Sequence, residues 1–201
     1  MNMKKIGIYS GTFDPIHNGH IAFATETAEL YGIDKIFFLP EPRPRRKQGV
    51  KAFEHRIKMV NLAIKDNEKL GLITIEQARF TPQETMPILR NRFEGTELYM
   101  LMGDDLLEHF IDWPSIEELT ANMKFIIGIR KYSENHIKQV MTTIEEVKNT
   151  KLQAHIFKPS SYELSSAELK KCLRQNKKPL GLHESVEKYI RVNNLYSTGE
   201  K

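Results

Sequence analysis

The segment KIGIYSGTFDPIHNGH, residues 5–20, decides the fold of this chain. Its first six residues form a short apolar run that predicts a buried strand, and Gly11 ends that strand. Beyond the next few residues, apolar side chains recur with a helical period from Ile21 to Leu30, and Gly32 ends the predicted helix. Residues 11–20 therefore occupy a turn between a strand and a helix.

The rest of the chain repeats this alternation. Predicted strands lie at residues 36–39, 72–75, 98–102, 125–129 and 155–157, and predicted helices lie at 54–67, 86–93, 166–175 and 183–193, with a polar helix that ends near 149. This order predicts the α/β class: a Rossmann-like, doubly wound, mostly parallel sheet with helices on both faces. We expect a single domain over residues 1–201 with a small C-terminal helical segment from about 165. In such sheets ligands bind at the carboxyl ends of the strands, often at the first strand-to-helix turn.

The composition limits the classes of function. The chain has 201 residues, 40% of them hydrophobic, which is enough for one substantial core. Its net charge of +4 favours anions only weakly. No basic stripe with interleaved aromatic residues is present, so we do not expect nucleic-acid binding. Cys172 is the only cysteine, which fits a reducing compartment. The apolar runs are too short for a signal peptide or a membrane span, so we expect a cytoplasmic protein that does not bind membranes.

The first turn has the chemistry of a phosphate site. It lacks both G-x-G-x-x-G and G-x-x-x-x-G-K-[ST], which argues against a dinucleotide dehydrogenase and a P-loop phosphotransferase. Gly11 lets a bulky anion approach the backbone, Thr12 supplies a hydroxyl, and Gly19 lies at a helix N-terminus, which favours phosphate. His17 and His20 lie within one helical turn, so both imidazoles can converge on one phosphate oxygen. A lone histidine more often caps or packs locally, but this dense string favours nucleotidyl transfer, which needs positioning and charge stabilisation.

Residues 11–20 resemble the signature G-T-F-D-P-x-H-x-G-H of the nucleotidylyltransferase superfamily and match it at every fixed position. The resemblance implies transfer of a nucleotidyl group from a nucleoside triphosphate with release of pyrophosphate. It implies catalytic roles for His17 and His20 at the α-phosphate, and nucleotide contacts for the rest of the turn: Gly11, Thr12, Phe13 and Gly19. Class I aminoacyl-tRNA synthetases share a related histidine signature, but they carry large added domains that 201 residues cannot hold.

A second phosphate segment begins the penultimate helix. Ser165 followed by Glu168 predicts a capping box, which fully accounts for these two residues. It does not account for Ser166 together with Lys170, and hydroxyls with a cation at a helix start again favour an anion. The segment resembles the superfamily motif I-S-S-T-x-I-R, with Leu, Ala and Lys at three positions. The resemblance implies that Ser165, Ser166 and Lys170 hold the ATP phosphates, although a lysine cannot bind phosphate bidentately.

Further segments resemble the bacterial nicotinate-mononucleotide adenylyltransferases, over residues 4–196. Residues 103–105 are similar to the family's G-x-D, which implies nucleotide contacts for Gly103 and Asp105. The basic loop 44–47 resembles the family's P-P-H-K at its first and last positions, which implies a catalytic role for Lys47 near the phosphates. The resemblance also implies contacts with the acceptor for four residues: Arg56, Thr81, Thr85 and Trp113.

Each of these residues has a plainer structural interpretation. Trp113 beside Pro114 fits a core position, and the basic loop fits a solvated surface. Asp104 and Asp105 fit the acidic start of a helix, where the dipole favours them. Thr81 and Thr85 fit turn and capping positions.

The resemblance implies transfer of an adenylyl group from ATP to nicotinate mononucleotide, with Mg²⁺ carried by the triphosphate and no metal site made by the protein alone. Two alternatives stay open. One is a related adenylyl- or cytidylyltransferase with another phosphorylated acceptor such as pantetheine phosphate, and the other is a non-catalytic nucleotide sensor of the same fold. The sequence also leaves open the choice between nicotinate and nicotinamide and the assembly of the chain into homo-oligomers.

Overall fold

The computed structural model describes residues 4–45, 47–160 and 164–197. The strands of this part are β1 (Lys5–Gly11), β2 (Lys35–Pro40), β3 (Leu70–Leu72), β4 (Glu97–Gly103), β5 (Lys124–Gly128) and β6 (Ala154–Phe157). The helices are α1 (Asn18–Leu30), α2 (Phe53–Ile64), α3 (Pro82–Arg92), α4 (Asp104–Leu107), α5 (Ile116–Asn122), α6 (Glu134–Lys148), α7 (Ser166–Arg174) and α8 (Glu184–Val192), with a 3-10 turn at Phe110–Asp112.

The strands form one sheet in the order β3-β2-β1-β4-β5-β6, and every neighbouring pair is parallel. The chain moves outward from β1 to β3 on one side, returns to the centre, and moves outward from β4 to β6 on the other. The predicted doubly wound α/β fold is therefore confirmed. The direction reverses between β1 and β4, and the crevice at the carboxyl ends of these two strands is where such sheets bind ligands.

Both faces of the sheet are covered. Neighbouring residues of β1 enter opposite cores: Tyr9 packs with residues of α1, α2, α7 and α8, whereas Ile8 packs with residues of α3, α5 and α6. Because the strands are buried on both faces, they are continuous apolar runs rather than alternating ones. No helix of the described segments is long and apolar enough to cross a membrane.

Several elements differ in their bounds from the predicted ones, and α3 begins at Pro82 rather than at residue 86. β3 ends at Leu72, whereas the sequence predicts a strand from there to Ile75. Gly71 interrupts the apolar run, and yet a Cβ atom at this position would lie 2.7 Å from the ring of Phe37, so glycine lets β3 close on β2. α1 begins three residues earlier than predicted, at Asn18. The short elements between residues 104 and 122 escaped prediction because they are too short to show an apolar period.

Candidate active site

The two histidines of the first turn stack on each other. Their ring centroids are 3.6 Å apart with an angle of 24° between the planes. The backbone N–H of His17 donates to Nδ1 of His20 at 3.2 Å, so a neutral His20 carries its proton on Nε2 and can donate from there. His17 is 3% exposed, and its Nδ1 has no hydrogen-bond partner among the described residues. The two rings therefore lie side by side just beyond the carboxyl end of β1, where Nε2 of His20 can donate to a bound group.

Phe13 supports His20 from the core. Its ring packs edge-on against that imidazole with 5.2 Å between the centroids. Phe13 has a φ of 49°, an unfavourable left-handed conformation for a bulky residue, and its side chain is buried. A Cβ atom on Gly11 would lie 2.9 Å from the Phe13 ring. This corrects the expected role of Gly11, because the space above it receives the Phe13 ring rather than a bulky anion. The burial of Phe13 therefore also corrects the nucleotide contact expected for its side chain.

Both imidazoles are neutral at pH 7. Burial lowers the pKa of His17 to about 4, with a smaller effect from the nearby charge of Arg130. Burial also holds the pKa of His20 well below its usual value, followed by the effects of His17, Lys47 and Arg130. The pair therefore offers N–H donors rather than positive charges. The positive charge of the site comes from the cations around it.

Lys47 joins the two predicted phosphate segments. Its side chain is exposed. Neighbouring groups nevertheless displace water from around its ammonium, and this desolvation is the main cause of a lowered pKa. The positive charge of Lys170 lowers the pKa further, whereas the carboxylates of Asp105, Glu41 and Asp14 raise it. Lys47 also acts on His20. The structure therefore brings the first turn, the basic loop, the start of α4 and Lys170 of α7 within electrostatic range of one another.

Gly103 and Asp105 lie at the carboxyl end of β4. Gly103 is the N-cap of α4 and Asp105 is exposed in its first turn, with a carboxylate oxygen 4.0 Å from the guanidinium of Arg130. Asp104 is buried, and its Oδ2 accepts hydrogen bonds of 2.7 to 3.0 Å from the backbone amides of residues 130–132. Asp104 thus holds the segment that carries Arg130. Arg130 was not predicted, although a cation directly after an apolar strand is a usable signal.

The second phosphate segment is fastened to the first turn by two contacts. The ammonium of Lys170 lies 3.0 Å from Oδ2 of Asp14, and the Ser166 hydroxyl donates to the carbonyl of Pro15 at 3.0 Å. Ser165 instead serves its own helix: its hydroxyl accepts from the amide of Glu168 at 3.2 Å and donates to the Glu168 carboxylate at 2.8 Å. The N-cap half of the predicted capping box is confirmed, whereas the Glu168 carboxylate accepts from the hydroxyl of Ser165 rather than from its backbone amide. Of the three residues expected to hold phosphate in this segment, Lys170 is the one that places a positive charge next to the first turn.

Thr12 and Gly19 stay in the first turn as expected. Thr12 is nearly buried, and Gly19 is buried at the N-terminus of α1. The amide of Asn18 donates to the carbonyl of Gly181 at 2.8 Å, so it is already used within the protein. The anion-binding expectation for this helix start therefore applies to the amide of Gly19.

The expectation for Arg56 is corrected. Its side chain is 1% exposed, so it does not face an acceptor. Its guanidinium donates to three backbone carbonyls, of Thr12 at 2.8 Å, Pro42 at 2.9 Å and Lys51 at 3.0 Å. Arg56 fastens the first turn to the segments that precede and follow the basic loop. It positions the site without contributing a surface to it.

Thr85 is also corrected. It is 0% exposed, and its hydroxyl accepts from the amide of Thr81 at 3.1 Å, while the Thr81 hydroxyl donates to Glu84 at 3.1 Å. The Thr85 hydroxyl thus satisfies the amide of the N-cap residue of α3, whereas the Thr81 hydroxyl caps no backbone amide of the helix. Thr81 remains partly exposed. The acceptor contact expected for Thr85 is excluded by its burial.

Trp113 is half-buried and has an apolar and a charged neighbour. Its ring centroid is 4.7 Å from that of Phe110, and the guanidinium of Arg45 lies over the ring, 5.9 Å from its centroid. Arg45 belongs to the same loop as Lys47, so the loop connects the aromatic side chain to the phosphate segments. Arg46 of this loop lies outside the described residues.

A metal site made by the protein alone is not found in residues 4–45, 47–160 and 164–197, where no three histidine, cysteine, aspartate or glutamate side chains are arranged to hold an ion. The site consists of two neutral imidazoles, at least three cations and a half-buried aromatic ring at the switch point of the sheet. This arrangement suits a polyphosphate with a ring nearby.

Known proteins match the chain over nearly its whole length. The family model described as cytidylyltransferase-like matches residues 8–172. A nicotinate-nucleotide adenylyltransferase of Bacillus subtilis is 31% identical over 206 residues, covering 98% of this chain and 100% of that protein. A probable nicotinate-nucleotide adenylyltransferase of Bacillus licheniformis is 32% identical over 203 residues, with the same coverage.

A solved structure supports the fold. The nicotinic acid mononucleotide adenylyltransferase of Plasmodium falciparum, described as complexed with NaAD, superposes with a TM-score of 0.79 at 21% identity, covering 96% of this chain and 97% of that chain. The fold, the paired histidines and the full-length relatives agree. The chain belongs to the cytidylyltransferase-like family and, within it, to the nicotinate-nucleotide adenylyltransferases.

Proposed function

We propose that this chain transfers the adenylyl group of ATP to nicotinate mononucleotide, giving nicotinic acid adenine dinucleotide and pyrophosphate in NAD biosynthesis. The observation that carries the proposal is the stacked, neutral pair of His17 and His20 at the switch point, beside the cations Lys47, Lys170 and Arg130. The full-length relatives are named as nicotinate-nucleotide adenylyltransferases, which supports nicotinate mononucleotide as the acceptor.

In this reaction a phosphate oxygen of the acceptor attacks the α-phosphorus of ATP. The bond between that phosphorus and the oxygen bridging to the β-phosphate breaks, and pyrophosphate leaves. His17 and His20 donate N–H groups to the α-phosphate oxygens, where negative charge develops in the transition state. Neutral rings stay donors throughout, so neither histidine gives up its proton and neither has to be regenerated.

The cations hold the leaving group. Lys170 binds the β- and γ-phosphates, with Ser166 keeping its helix against the first turn. Lys47 adds positive charge between the α-phosphate and the triphosphate tail. Mg²⁺ carried by the triphosphate would supply further positive charge to the leaving pyrophosphate, beside Lys170 and Lys47. Asp105, exposed at the end of β4, accepts hydrogen bonds from the nucleotide.

The acceptor ring lies on Trp113. This side chain has an exposed part, a cation over its ring and a connection through the basic loop to Lys47. Thr81, which is partly exposed, is the second acceptor contact that we propose. A single domain and a cytoplasmic location complete the proposal as expectations.

A coupled pyrophosphate assay tests the function directly. We expect release with ATP and nicotinate mononucleotide, and weaker release with nicotinamide mononucleotide. The panel includes CTP in place of ATP and pantetheine phosphate in place of the acceptor. Faster turnover on either would assign a different substrate, and tight ATP binding without turnover on any acceptor would identify a sensor.

A further inference from the structure

Tyr196, just beyond α8, reaches back to the first turn of the chain. Its hydroxyl donates to Oδ1 of Asp14 at 2.6 Å across 182 residues of sequence. Both partners are almost fully buried, with exposures of 2% and 3%. Tyr196 has a φ of 63°, a left-handed conformation that is unfavourable for an aromatic residue and persists only where surrounding contacts hold it. This backbone conformation turns the chain after α8 so that the Tyr196 hydroxyl lies against the first turn.

The two oxygens of the Asp14 carboxylate have different partners. Oδ1 accepts from the Tyr196 hydroxyl and from the backbone amide of Lys51 at 3.2 Å, whereas Oδ2 faces the ammonium of Lys170 at 3.0 Å. Two donors on one oxygen fix the plane of the carboxylate. The direction of Oδ2 is then fixed as well, and with it the place where the Lys170 ammonium lies.

A lysine at this position needs such a guide. Its ammonium is a point charge on a flexible four-carbon stem, and it lacks the planar fork of an arginine. The Lys170 side chain is 21% exposed, so part of it is free to move, and Asp14 is the hydrogen-bonding partner that holds its end. The position of the phosphate-binding charge thus depends on how firmly Asp14 is held.

We propose that Tyr196 is a positioning residue that acts through Asp14 on Lys170 and thereby sets the affinity for the ATP triphosphate. This inference rests on the proposed function, in which Lys170 holds the β- and γ-phosphates. The segment after α8, which carries Tyr196, thereby has a role in nucleotide binding that is separate from acceptor binding.

The test compares Tyr196→Phe with Tyr189→Phe. Tyr189 is a matched control, because it lies in α8 and its hydroxyl forms a hydrogen bond with Nδ1 of His55 at 2.8 Å instead of reaching Asp14. For each variant we measure kcat, KM for both substrates, and the Kd for Mg·ATP without acceptor. Tyr196→Phe should raise the KM and Kd for ATP about 5- to 10-fold, the scale of one weakened charge-assisted hydrogen bond, and leave the KM for nicotinate mononucleotide unchanged. Tyr189→Phe should match the wild type.

A double-mutant cycle with Lys170→Gln separates positioning from general loosening. Glutamine keeps a donor for Asp14 but loses the charge, so Tyr196→Phe should have little further effect on ATP affinity in that background. Additive losses in the cycle, or a Tyr196→Phe variant with the ATP affinity of the Tyr189→Phe control, overturn the inference. Wild-type protein that binds Mg·ATP but releases no pyrophosphate counts against the proposed function instead, and the binding measurements still decide the role of Tyr196.

Discussion

At the scale of single residues, Arg56 shows how a buried charge can organise a site that it does not enter. Its guanidinium donates to three backbone carbonyls, one in the first turn and two in the segments that flank the basic loop. Arg56→Lys keeps the charge but cannot reach three divergent acceptors, so we expect the free energy of unfolding to fall by about 3 kcal/mol. Urea denaturation measures this change. An unaltered stability with a raised KM for nicotinate mononucleotide alone would return Arg56 to the acceptor site.

His20 gives the second prediction at this scale. His20→Ala removes an N–H donor aimed at the developing charge, and we expect kcat to fall by about 100- to 1,000-fold with little change in the KM for ATP. His20→Gln, which restores an N–H donor in a neutral side chain, should recover part of the rate. Near-normal pyrophosphate release by the alanine variant, measured in the coupled assay, would remove His20 from the catalytic groups.

The residues that sequence could predict are those whose neighbours are close in the chain. His17 and His20 converge because one helical turn separates them, whatever the rest of the fold does. The contact of Asp14 with Lys170 spans 156 residues and follows from no local spacing. A sequence motif also carries no information about burial. For this reason Arg56 was expected to contact the acceptor, whereas the structure places it beneath the site.

At the scale of elements, the start of α7 carries two serines with different tasks. Ser165 caps its own helix, whereas Ser166 ties that helix to Pro15. Ser165→Ala should lower the free energy of unfolding by about 1 kcal/mol and leave the KM for ATP unchanged. Ser166→Ala should raise the KM for ATP several-fold, because the helix that carries Lys170 loses its tie to the first turn. Identical kinetic effects of the two substitutions would mean that neither contact has the task assigned to it.

The elements themselves were predictable where apolar content was high. The central strands are unbroken apolar runs buried on both faces, and their order along the chain predicted the parallel sheet. The edge strand β3 was misplaced because Gly71, which a ring from β2 requires, resembles a strand breaker in sequence. α4 and α5 have four and seven residues, too few for a helical period to show, and yet the segment that contains them carries Asp105 and Trp113.

At the scale of the whole molecule, the buried histidines couple the stability of the fold to pH. His17 has a pKa of about 4 in the folded protein, against an ordinary value of 6.5. Between these values the unfolded chain binds a proton at this position and the folded protein does not, so stability falls as the pH decreases. The contribution of His17 is fully present above pH 6.5 and is lost on the way down to pH 4. The lowered pKa of His20 acts in the same direction.

The third histidine substitution isolates this effect from the titration of the carboxylates. His17→Gln keeps a neutral amide that does not titrate, while every other group is common to both proteins. Between pH 7 and pH 4, the wild type should therefore lose about 3 kcal/mol more of its unfolding free energy than the variant, as the shift of His17 requires. Urea denaturation over this range gives both curves, and parallel curves would contradict the buried, neutral imidazole. The same neutrality predicts that neither histidine contributes an inflection to the pH profile of kcat between pH 6.5 and 8, because neither changes its charge over that range.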